Sequence, residues 1–474
     1  MDYETKRLQE LHEAAMKVVE NVGMQFMNTR AIEILKDHGI RVEGDIAYFT
    51  EEQLMYWVRK APHTFTLYAT NPAHNCTMGG ESVNPAPSYG CPYIADAKGK
   101  KRVASIEDYL NFVKLFQANE DFDINGGPMV MPGDVEPSLA CLAMFYAAIT
   151  HSDKAMMVHA GERRYMEAMI DASAALWGGY EELKAKPRLI TIVDVNSPMK
   201  MGEMMADTLI EFSKAGQAFT VSNCSMAGST SPVTLAGTVV MIIAEVLPVI
   251  ALAQMVNAGT PVLFGSQSCT ADMASGQIAG GSPEGAICYK YTAKLADFYG
   301  LPSRGGGAIT DSKIVDAQSG YESMLTLLAD YEAHMNFIIH TAGILDGYNS
   351  TSYEKVLQDF EILRYIKRYM HDFEINEDTI PIEDILEVGH TGQYMTKEHT
   401  FEWCRREPLE PMVSTRGVVN DPVNQFQNRL DAYYKKLMDA YTQPMVDKDT
   451  LAKVKDALEK GGLDRSWMDV VETK

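Results

Sequence analysis

The sequence predicts an α/β fold, a TIM-type (β/α)8 barrel with N-terminal helices and a C-terminal helical extension. Short apolar runs alternate with helical patterns, and most of these runs do not alternate with polar residues. Such runs are typical of parallel strands buried on both faces by helices. The 474-residue chain is long for one domain but suits a barrel with additions at both ends. An open doubly wound sheet is the structural alternative.

Three regions are expected: residues 1–80 as a helical cap with short strands, 81–350 as the barrel, and 351–474 as a helical extension packed on it. Helical patterns separate the predicted strands, which cover 122–125, 154–159, 188–195, 217–222, 260–264, about 301–305 and 335–341, with an eighth within 80–96. Residues 237–256 are nearly apolar over a membrane-spanning length. Because Glu245 and Pro248 interrupt them between barrel segments, a buried helix is expected.

Composition excludes several classes of protein. The net charge of -22 disfavours binding to nucleic acid or to an anionic membrane surface. The seven cysteines form no CxxC pair and indicate free thiols in a reducing compartment. The charged N-terminus is unlike a signal peptide, so a cytoplasmic protein is expected. Zinc-protease, Walker and dinucleotide-binding motifs are absent, as is the DxHxxG corrinoid signature, and no metal site is predicted.

Polar or small residues follow each predicted strand, as in HAG at 159–161, DVNS at 194–197, SNCS at 222–225 and GSQS at 265–268. The carboxyl ends of barrel strands meet at one face, where barrel enzymes place their active sites. The sequence therefore predicts a polar-lined opening at that face.

Several segments resemble the trimethylamine methyltransferase-like superfamily. They are YGCPYIAD at 89–96, GGSPEG at 280–285, GAITDSKIVDAQSGYE at 307–322, GILDG at 343–347, and GH at 389–390 followed by EHT at 398–400. The resemblance spans most of the chain and implies a TIM barrel. It also implies methyl transfer from a methylated amine to the Co(I) of a separate corrinoid protein, with no cofactor held permanently by this chain.

The name-giving members of that superfamily contain pyrrolysine, whereas this chain is continuous without an unusual residue. It therefore resembles the pyrrolysine-lacking branch, which acts on quaternary amines. Glycine betaine, demethylated to dimethylglycine, is the expected substrate, and a homo-oligomer is expected. Proline betaine, carnitine or a trimethylamine-like donor remain alternatives. So do a different TIM-barrel transferase or lyase and a non-catalytic betaine-binding or corrinoid-partner scaffold.

A quaternary ammonium group calls for aromatic faces and a nearby carboxylate. The aromatic candidates are Tyr89, Tyr93, Phe264 and Tyr348, and the carboxylate candidates are Asp96, Asp194 and Glu322. A substrate carboxylate calls for hydrogen-bond donors. The donor candidates are Arg304, His340, Asn196, Asn223, Gln267 and the backbone amides of 305–307. Structural roles stay open for several of these, since Phe264 lies within a buried run and Arg304 could pair with Asp311 or Asp316.

Overall fold

Eight parallel strands form the centre of the computed structural model, which describes residues 3–421 and 423–473. We label them β1 Asn84–Pro85, β2 Ile124–Gly126, β3 Ala155–Met157, β4 Leu189–Val195, β5 Ala218–Asn223, β6 Val262–Ser266, β7 Ser303–Gly305 and β8 Phe337–Ile338. From β2 to β8 each strand pairs with the next one along the chain, and β8 pairs with β1.

The two ends of this sheet meet just beyond β1 and β2. The Gly90 amide donates to the Pro128 carbonyl at 2.6 Å, and Cys91 forms a parallel bridge with Val130. A doubly wound sheet reverses its strand order at a switch point, whereas this order runs in one direction around the sheet. The predicted barrel is therefore confirmed, and the open-sheet alternative is wrong.

Helices surround the barrel and extend it at both ends. The α-helices are Tyr3–Asn21, Thr29–Asp37, Glu51–Val58, Ile106–Ala118, Ala140–His151, Arg163–Leu176, Tyr180–Ala185, Glu203–Lys214, Leu235–Val256, Pro283–Tyr299, Ala317–Glu332, Tyr353–Met370, Ile382–Val388, Glu398–Trp403, Gln425–Ala440, Lys448–Lys460 and Arg465–Thr473, with 3-10 turns at Pro72–His74 and Tyr394–Thr396. Short strands outside the barrel are Met24–Phe26, Arg41–Glu43, Ile46–Tyr48, Phe65–Leu67, Cys76–Met78, Tyr93–Ala95, Lys101–Val103, Lys200–Met201, Met226–Ala227, Cys269–Ala271, Ile278–Ala279 and Ser350–Thr351.

The base of the barrel lumen is filled by apolar side chains. Ile190 and Ile192 of β4 pack there with inward-facing residues of the other strands and with Leu67 and Met78 from the N-terminal region. Because side chains alternate along a strand, Asp194 continues this inward row toward the carboxyl end of β4. The lumen is therefore apolar at its base and becomes polar at the carboxyl ends of the strands, which we call the mouth.

The helix Leu235–Val256 is long and apolar enough to cross a membrane, and 72% of its most hydrophobic window is buried within the protein. It packs against the N-terminal helix Tyr3–Asn21, the helix Glu51–Val58 and strand β5. Glu245, near its centre, accepts hydrogen bonds from the Ser197 hydroxyl at 2.6 Å and the Met199 amide at 2.9 Å. The prediction of a buried helix is confirmed.

Candidate active site

A row of inward-facing residues crosses neighbouring strands at the mouth. Register pairs Asp194 with Ser222, Ser222 with Gly265, and Gly265 with Arg304. The fully buried guanidinium of Arg304 donates to the Ser222 hydroxyl at 2.7 Å, on the far side of the intervening strand. A Cβ on Gly265 would lie 3.3 Å from Arg304 Cδ and would collide with the Thr220 hydroxyl. Glycine therefore leaves room for the arginine to reach across the lumen.

Asp194 and Cys224 both stand at the mouth, Asp194 within β4 near its carboxyl end and Cys224 directly after β5. Both residues are deeply surrounded by protein and yet keep solvent-accessible surface, as side chains that line an internal space do. Burial raises the pKa of Asp194 to about 6, although Arg304 opposes the shift. Burial, with a smaller effect from Asp194, raises the pKa of the Cys224 thiol to about 11. At neutral pH the mouth therefore contains a carboxylate and a neutral thiol.

His340 and Arg304 present two hydrogen-bond donors side by side. The Tyr89 amide, which can only donate, lies 3.2 Å from His340 Nδ1. Burial, together with Arg304, lowers the pKa of His340 well below its usual value, so the ring is neutral. A neutral ring that accepts at Nδ1 carries its proton on Nε2. That Nε2 lies 3.4 Å from Arg304 Nη2, which is also a donor. The pair has the arrangement that one shared anionic acceptor would satisfy.

Three aromatic rings lie at this part of the lumen. Tyr89 packs on the apolar base and stacks on His159, with ring centroids 5.9 Å apart and an angle of 12° between the planes. Tyr348 meets His340 edge to face at 5.2 Å. His340 and Tyr348 both have left-handed backbones, with φ of 67° and 72°. Such φ values are uncommon for these residue types and mark a backbone held by its surroundings.

Gln267, at the end of β6, fixes the position of Tyr348. Its amide nitrogen, which carries two hydrogens, lies within hydrogen-bonding distance of three acceptors: the Tyr348 hydroxyl at 2.7 Å, and the Tyr289 hydroxyl and the Gly306 carbonyl, both at 3.1 Å. The Gln267 amide oxygen and Arg304 Nε are both buried, and neither has a hydrogen-bond partner in the described part of the chain. Buried polar atoms without a protein partner are costly unless water or a ligand satisfies them.

Several predicted site residues lie outside the lumen. Asn223 points to the opposite face of β5, where it donates to Glu245 at 3.0 Å. Phe264 packs on Tyr299 in the helical layer, with centroids 5.8 Å apart. Because side chains alternate along a strand, Ser222 and Gly265 face the lumen while Asn223 and Phe264 face away.

Other candidates lie in turns and short segments outside the row of inward-facing residues. The Asp96 carboxylate accepts from the Lys98 and Lys100 amides, both at 2.9 Å, in an exposed turn. Tyr93 is 37% exposed on a strand beside Ser350. The exposed Asn196 exchanges backbone hydrogen bonds with Lys200 beyond the end of β4. The Gly307 amide is occupied, because it donates to the buried Asp330 carboxylate at 2.7 Å.

The segment 307–322 organises the rim of the mouth. The Glu322 carboxylate accepts from the Thr310 hydroxyl at 2.6 Å and the Asp311 amide at 2.9 Å. Asp311 in turn accepts from the Gly280 and Gly281 amides, each at 3.1 Å. The loops after β6 and β7 are thereby tied together. The two family-like segments at 280–285 and 307–322 therefore contact one another. Glu322 holds the loop after β7 by accepting hydrogen bonds from Thr310 and Asp311.

A cavity of about 600 Å³, which we call the vestibule, lies among the segments that follow the barrel strands at the mouth, and Tyr348 lines it. Its lining also includes Pro92, Gln277, Ile278, Asp311, Lys313, Asp346, Gly347 and Asn349. The hairpin formed by Cys269–Ala271 and Ile278–Ala279 supplies one wall, and its tip carries Met273, which is 69% exposed. Within the described residues, no three His, Cys, Asp or Glu side chains lie close enough to hold a metal ion.

Sequence reasoning did not select His159, Ser222 and Tyr289 as site residues. His159 and Ser222 stand at the ends of β3 and β5, so the pattern of polar strand ends contained a signal for them. Tyr289 lies within the helix Pro283–Tyr299 and bonds to Gln267, and no local pattern marks that contact.

The mouth of the barrel brings one carboxylate, that of Asp194, and two hydrogen-bond donors, on Arg304 and His340, into one lumen. The chain belongs to the trimethylamine methyltransferase (MTTB) family, whose sequence model matches residues 3–461. It is 38% identical over 459 residues to the glycine betaine methyltransferase of Desulfitobacterium hafniense (strain Y51), covering 96% of each chain.

Two further relatives show the breadth of the family. The chain is 29% identical to the trimethylamine methyltransferase MttB of Desulfitobacterium hafniense (strain DSM 10664 / DCB-2), covering 87% of this chain and 83% of that protein. It is 28% identical to the proline betaine:corrinoid methyltransferase of Eubacterium limosum, covering 94% of each.

Proposed function

We propose that the chain transfers a methyl group from glycine betaine to the Co(I) of a separate corrinoid protein and releases dimethylglycine. The observation that carries the proposal is the pair of adjacent donors on Arg304 and His340, 3.4 Å apart in the lumen that also contains Asp194. Relatives named for glycine betaine and proline betaine support the same substrate class.

The substrate carboxylate occupies the donor pair. Arg304 contributes a charged N–H donor and the neutral His340 contributes Nε2–H. The substrate carboxylate accepts from both of these adjacent donors. The unpartnered Arg304 Nε adds a third donor in the same buried region. Trimethylamine has no carboxylate. If it were the substrate, the N–H groups of Arg304 and His340 would have no acceptor.

The quaternary ammonium lies beside Asp194. With a pKa of about 6 this carboxylate is ionised at neutral pH, and a bound cation stabilises the ionised form further. Tyr89, His159 and Tyr348 supply aromatic faces for the methyl groups. The lumen thereby replaces water around the cation with one charge and several rings.

The reaction needs positioning more than proton transfer. When a methyl carbon bonds to Co(I), its C–N bond breaks and the electron pair stays on nitrogen, which leaves as a neutral tertiary amine. No proton is required at that atom, so a neutral His340 and an ionised Asp194 suffice. The protein holds the carboxylate of the methyl-donating substrate, directs one methyl group toward the mouth and limits water in the lumen.

The vestibule is where the corrinoid protein would dock in this proposal, because it lies among the loops of the mouth and Tyr348 lines it. No corrinoid needs to reside in this chain under that arrangement. We also propose that the enzyme acts in the cytoplasm. The burial of the helix Leu235–Val256 supports a protein that is not embedded in a membrane.

An anoxic assay tests the proposal. The purified chain is mixed with cob(I)alamin, or with its corrinoid protein, and with one methylated amine, and methylcobalamin formation is followed by absorbance. Glycine betaine is expected to give the highest kcat/KM, while choline and trimethylamine give little product. Faster turnover of proline betaine, carnitine or trimethylamine would favour an alternative donor. No turnover of any amine, with the corrinoid protein supplied, would leave only a binding or scaffold role.

A further inference from the structure

Residues 371–407, which we call the basal arm, leave the protein at the end of the barrel opposite the mouth. The preceding helix Tyr353–Met370 begins near the mouth, where Lys355 Nζ donates to the Ala308 carbonyl after β7 at 3.3 Å. Near its other end, Lys367 pairs with Asp121 at 2.8 Å, just before β2 begins. An ion pair of 2.6 Å between Arg368 and Glu407 closes the neck of the arm.

The basal arm has almost no core of its own. All the hydrogen bonds and ion pairs of residues 372–406 join two residues within 372–407, and all of these residues are described by the structure. Val388 is the one buried residue between 371 and 407. The arm therefore gains little from the body of its own chain beyond the neck.

An unusual amount of apolar surface is exposed on the arm. In the short helix Ile382–Val388, the side chains of Ile382, Ile385 and Leu386 share one face and are 56%, 42% and 75% exposed. Glu383, Asp384 and Glu387 occupy the opposite positions, and the exposed apolar face has no partner among the described residues. Six more large side chains on the arm are between 45% and 81% exposed, namely Phe373, Ile375, Ile380, Tyr394, Met395 and Phe401.

The size of this surface matches a stable protein interface. Large apolar and aromatic side chains each contribute roughly 150–250 Å² when fully buried. At the observed exposures the nine side chains present on the order of 1,000 Å². The largest apolar patch on a typical monomer is roughly 300–600 Å². A standard interface buries about 800 Å² on each partner.

We propose that the basal arm packs against the basal arm of a second copy of this chain about a two-fold axis. The arm leaves the protein at the end of the barrel remote from the lumen and vestibule. A macromolecule that docks at the mouth would therefore not cover the exposed apolar surface of the arm. A two-fold contact places the same patch on both partners, so each apolar surface covers the other and the assembly closes.

Charge gives this proposal a distinctive signature. The arm carries ten acidic and three basic side chains, so two arms repel one another electrostatically around their apolar contact. Salt screens that repulsion, and self-association should therefore tighten as ionic strength rises. A basic protein partner on the same surface would show the opposite salt dependence.

Analytical ultracentrifugation of the full chain over a range of concentrations tests the proposal. The wild type is expected to sediment as a dimer or a higher even oligomer. The double substitution Leu386→Ser/Met395→Ser is expected to raise the arm-dependent dissociation constant roughly a hundredfold, because two copies each lose two anchors that are 75% and 80% exposed before association. The matched control Val22→Ser/Met27→Ser alters side chains that are 55% and 53% exposed elsewhere and should leave it unchanged.

A monomeric wild type at micromolar concentrations would overturn the proposal. So would a Leu386→Ser/Met395→Ser variant that associates as tightly as the wild type, or an association weakened between about 0.05 M and about 0.5 M salt. Thermal unfolding and methyl transfer to free cobalamin check that the variants fold. The oligomeric readout is independent of the proposed reaction, since an inactive chain can still dimerise.

Discussion

Asp194→Asn removes the charge proposed to bind the substrate cation and changes the shape of the side chain very little. A carboxylate roughly 5 Å from a quaternary nitrogen contributes about 3 kcal/mol at an effective dielectric constant of about 20. Water in the lumen reduces this contribution. The expected result is a loss of about a hundredfold in kcat/KM for glycine betaine near neutral pH, measured as methylcobalamin formation.

The pH dependence sharpens this test. Burial raises the pKa of Asp194 to about 6, so protonation below that pH removes the counter-charge. The kcat/KM of the wild type should fall about tenfold per pH unit below about pH 6, while that of Asp194→Asn stays flat there. A bound cation favours the carboxylate, so the inflection in kcat should lie at lower pH. The control Glu322→Gln alters a helix carboxylate that holds the loop residues Thr310 and Asp311, and it should keep the wild-type inflection.

Stability should change in the opposite direction to activity. Because the folded-state pKa of Asp194 is raised, stability is lost as the pH rises from the ordinary pKa of 3.8 to about 6, and the loss is complete above about pH 6. Asp194→Asn should therefore raise the Tm of the ligand-free protein above about pH 6, by an amount that shrinks as the pH falls toward the unfolded pKa. If the variant keeps kcat/KM within about threefold and retains the inflection, Asp194 does not bind the cation.

Three further predictions address other parts of the molecule. Arg304→Met should lower kcat/KM for glycine betaine roughly thirtyfold, which corresponds to about 2 kcal/mol, and should leave the weak turnover of choline unchanged. Equal losses of kcat/KM for glycine betaine and choline would contradict a carboxylate site. Lys355 and Asp359 form a fully buried ion pair. Lys355→Met should lower the free energy of unfolding by about 3–5 kcal/mol in urea titrations, because it leaves the Asp359 carboxylate buried without its partner. The double variant Lys355→Met/Asp359→Leu should recover most of that loss. Equal free energies of unfolding for the single and double variants would refute the coupling between the two charges. Met273→Glu should slow methyl transfer to the corrinoid protein about tenfold and spare transfer to free cobalamin, and matched effects would place docking elsewhere.

The sequence predicted the fold well because its signals are local and repeated. Every predicted strand coincides with or overlaps an observed strand, from β2 at Ile124–Gly126 to β8 at Phe337–Ile338. Lengths were less predictable, since the apolar run at 335–341 pairs as a strand over only two residues. His340 follows with a left-handed φ of 67°, which ends the extended backbone.

The site was less predictable because orientation depends on single-residue register. Asp194 and Asn223 both follow apolar runs, but one faces the lumen and the other faces Glu245. Arg304 was expected to pair with Asp311 or Asp316 if it was structural. Instead it reaches Ser222 across Gly265, a contact between three strands that no local pattern encodes.

Glu245 also bears on how the chain is made. It stands at the centre of the helix Leu235–Val256, the one described helix apolar enough to span a bilayer. While that segment is newly synthesised, the Ser197 and Asn223 partners that later bind the carboxylate are not yet in place. A charged side chain at the midpoint of a spanning helix costs roughly 2.5–3.5 kcal/mol on insertion. Glu245 joins the loop after β4 to the end of β5 in the folded enzyme, and it therefore also biases the unfinished chain away from membrane insertion and toward the barrel.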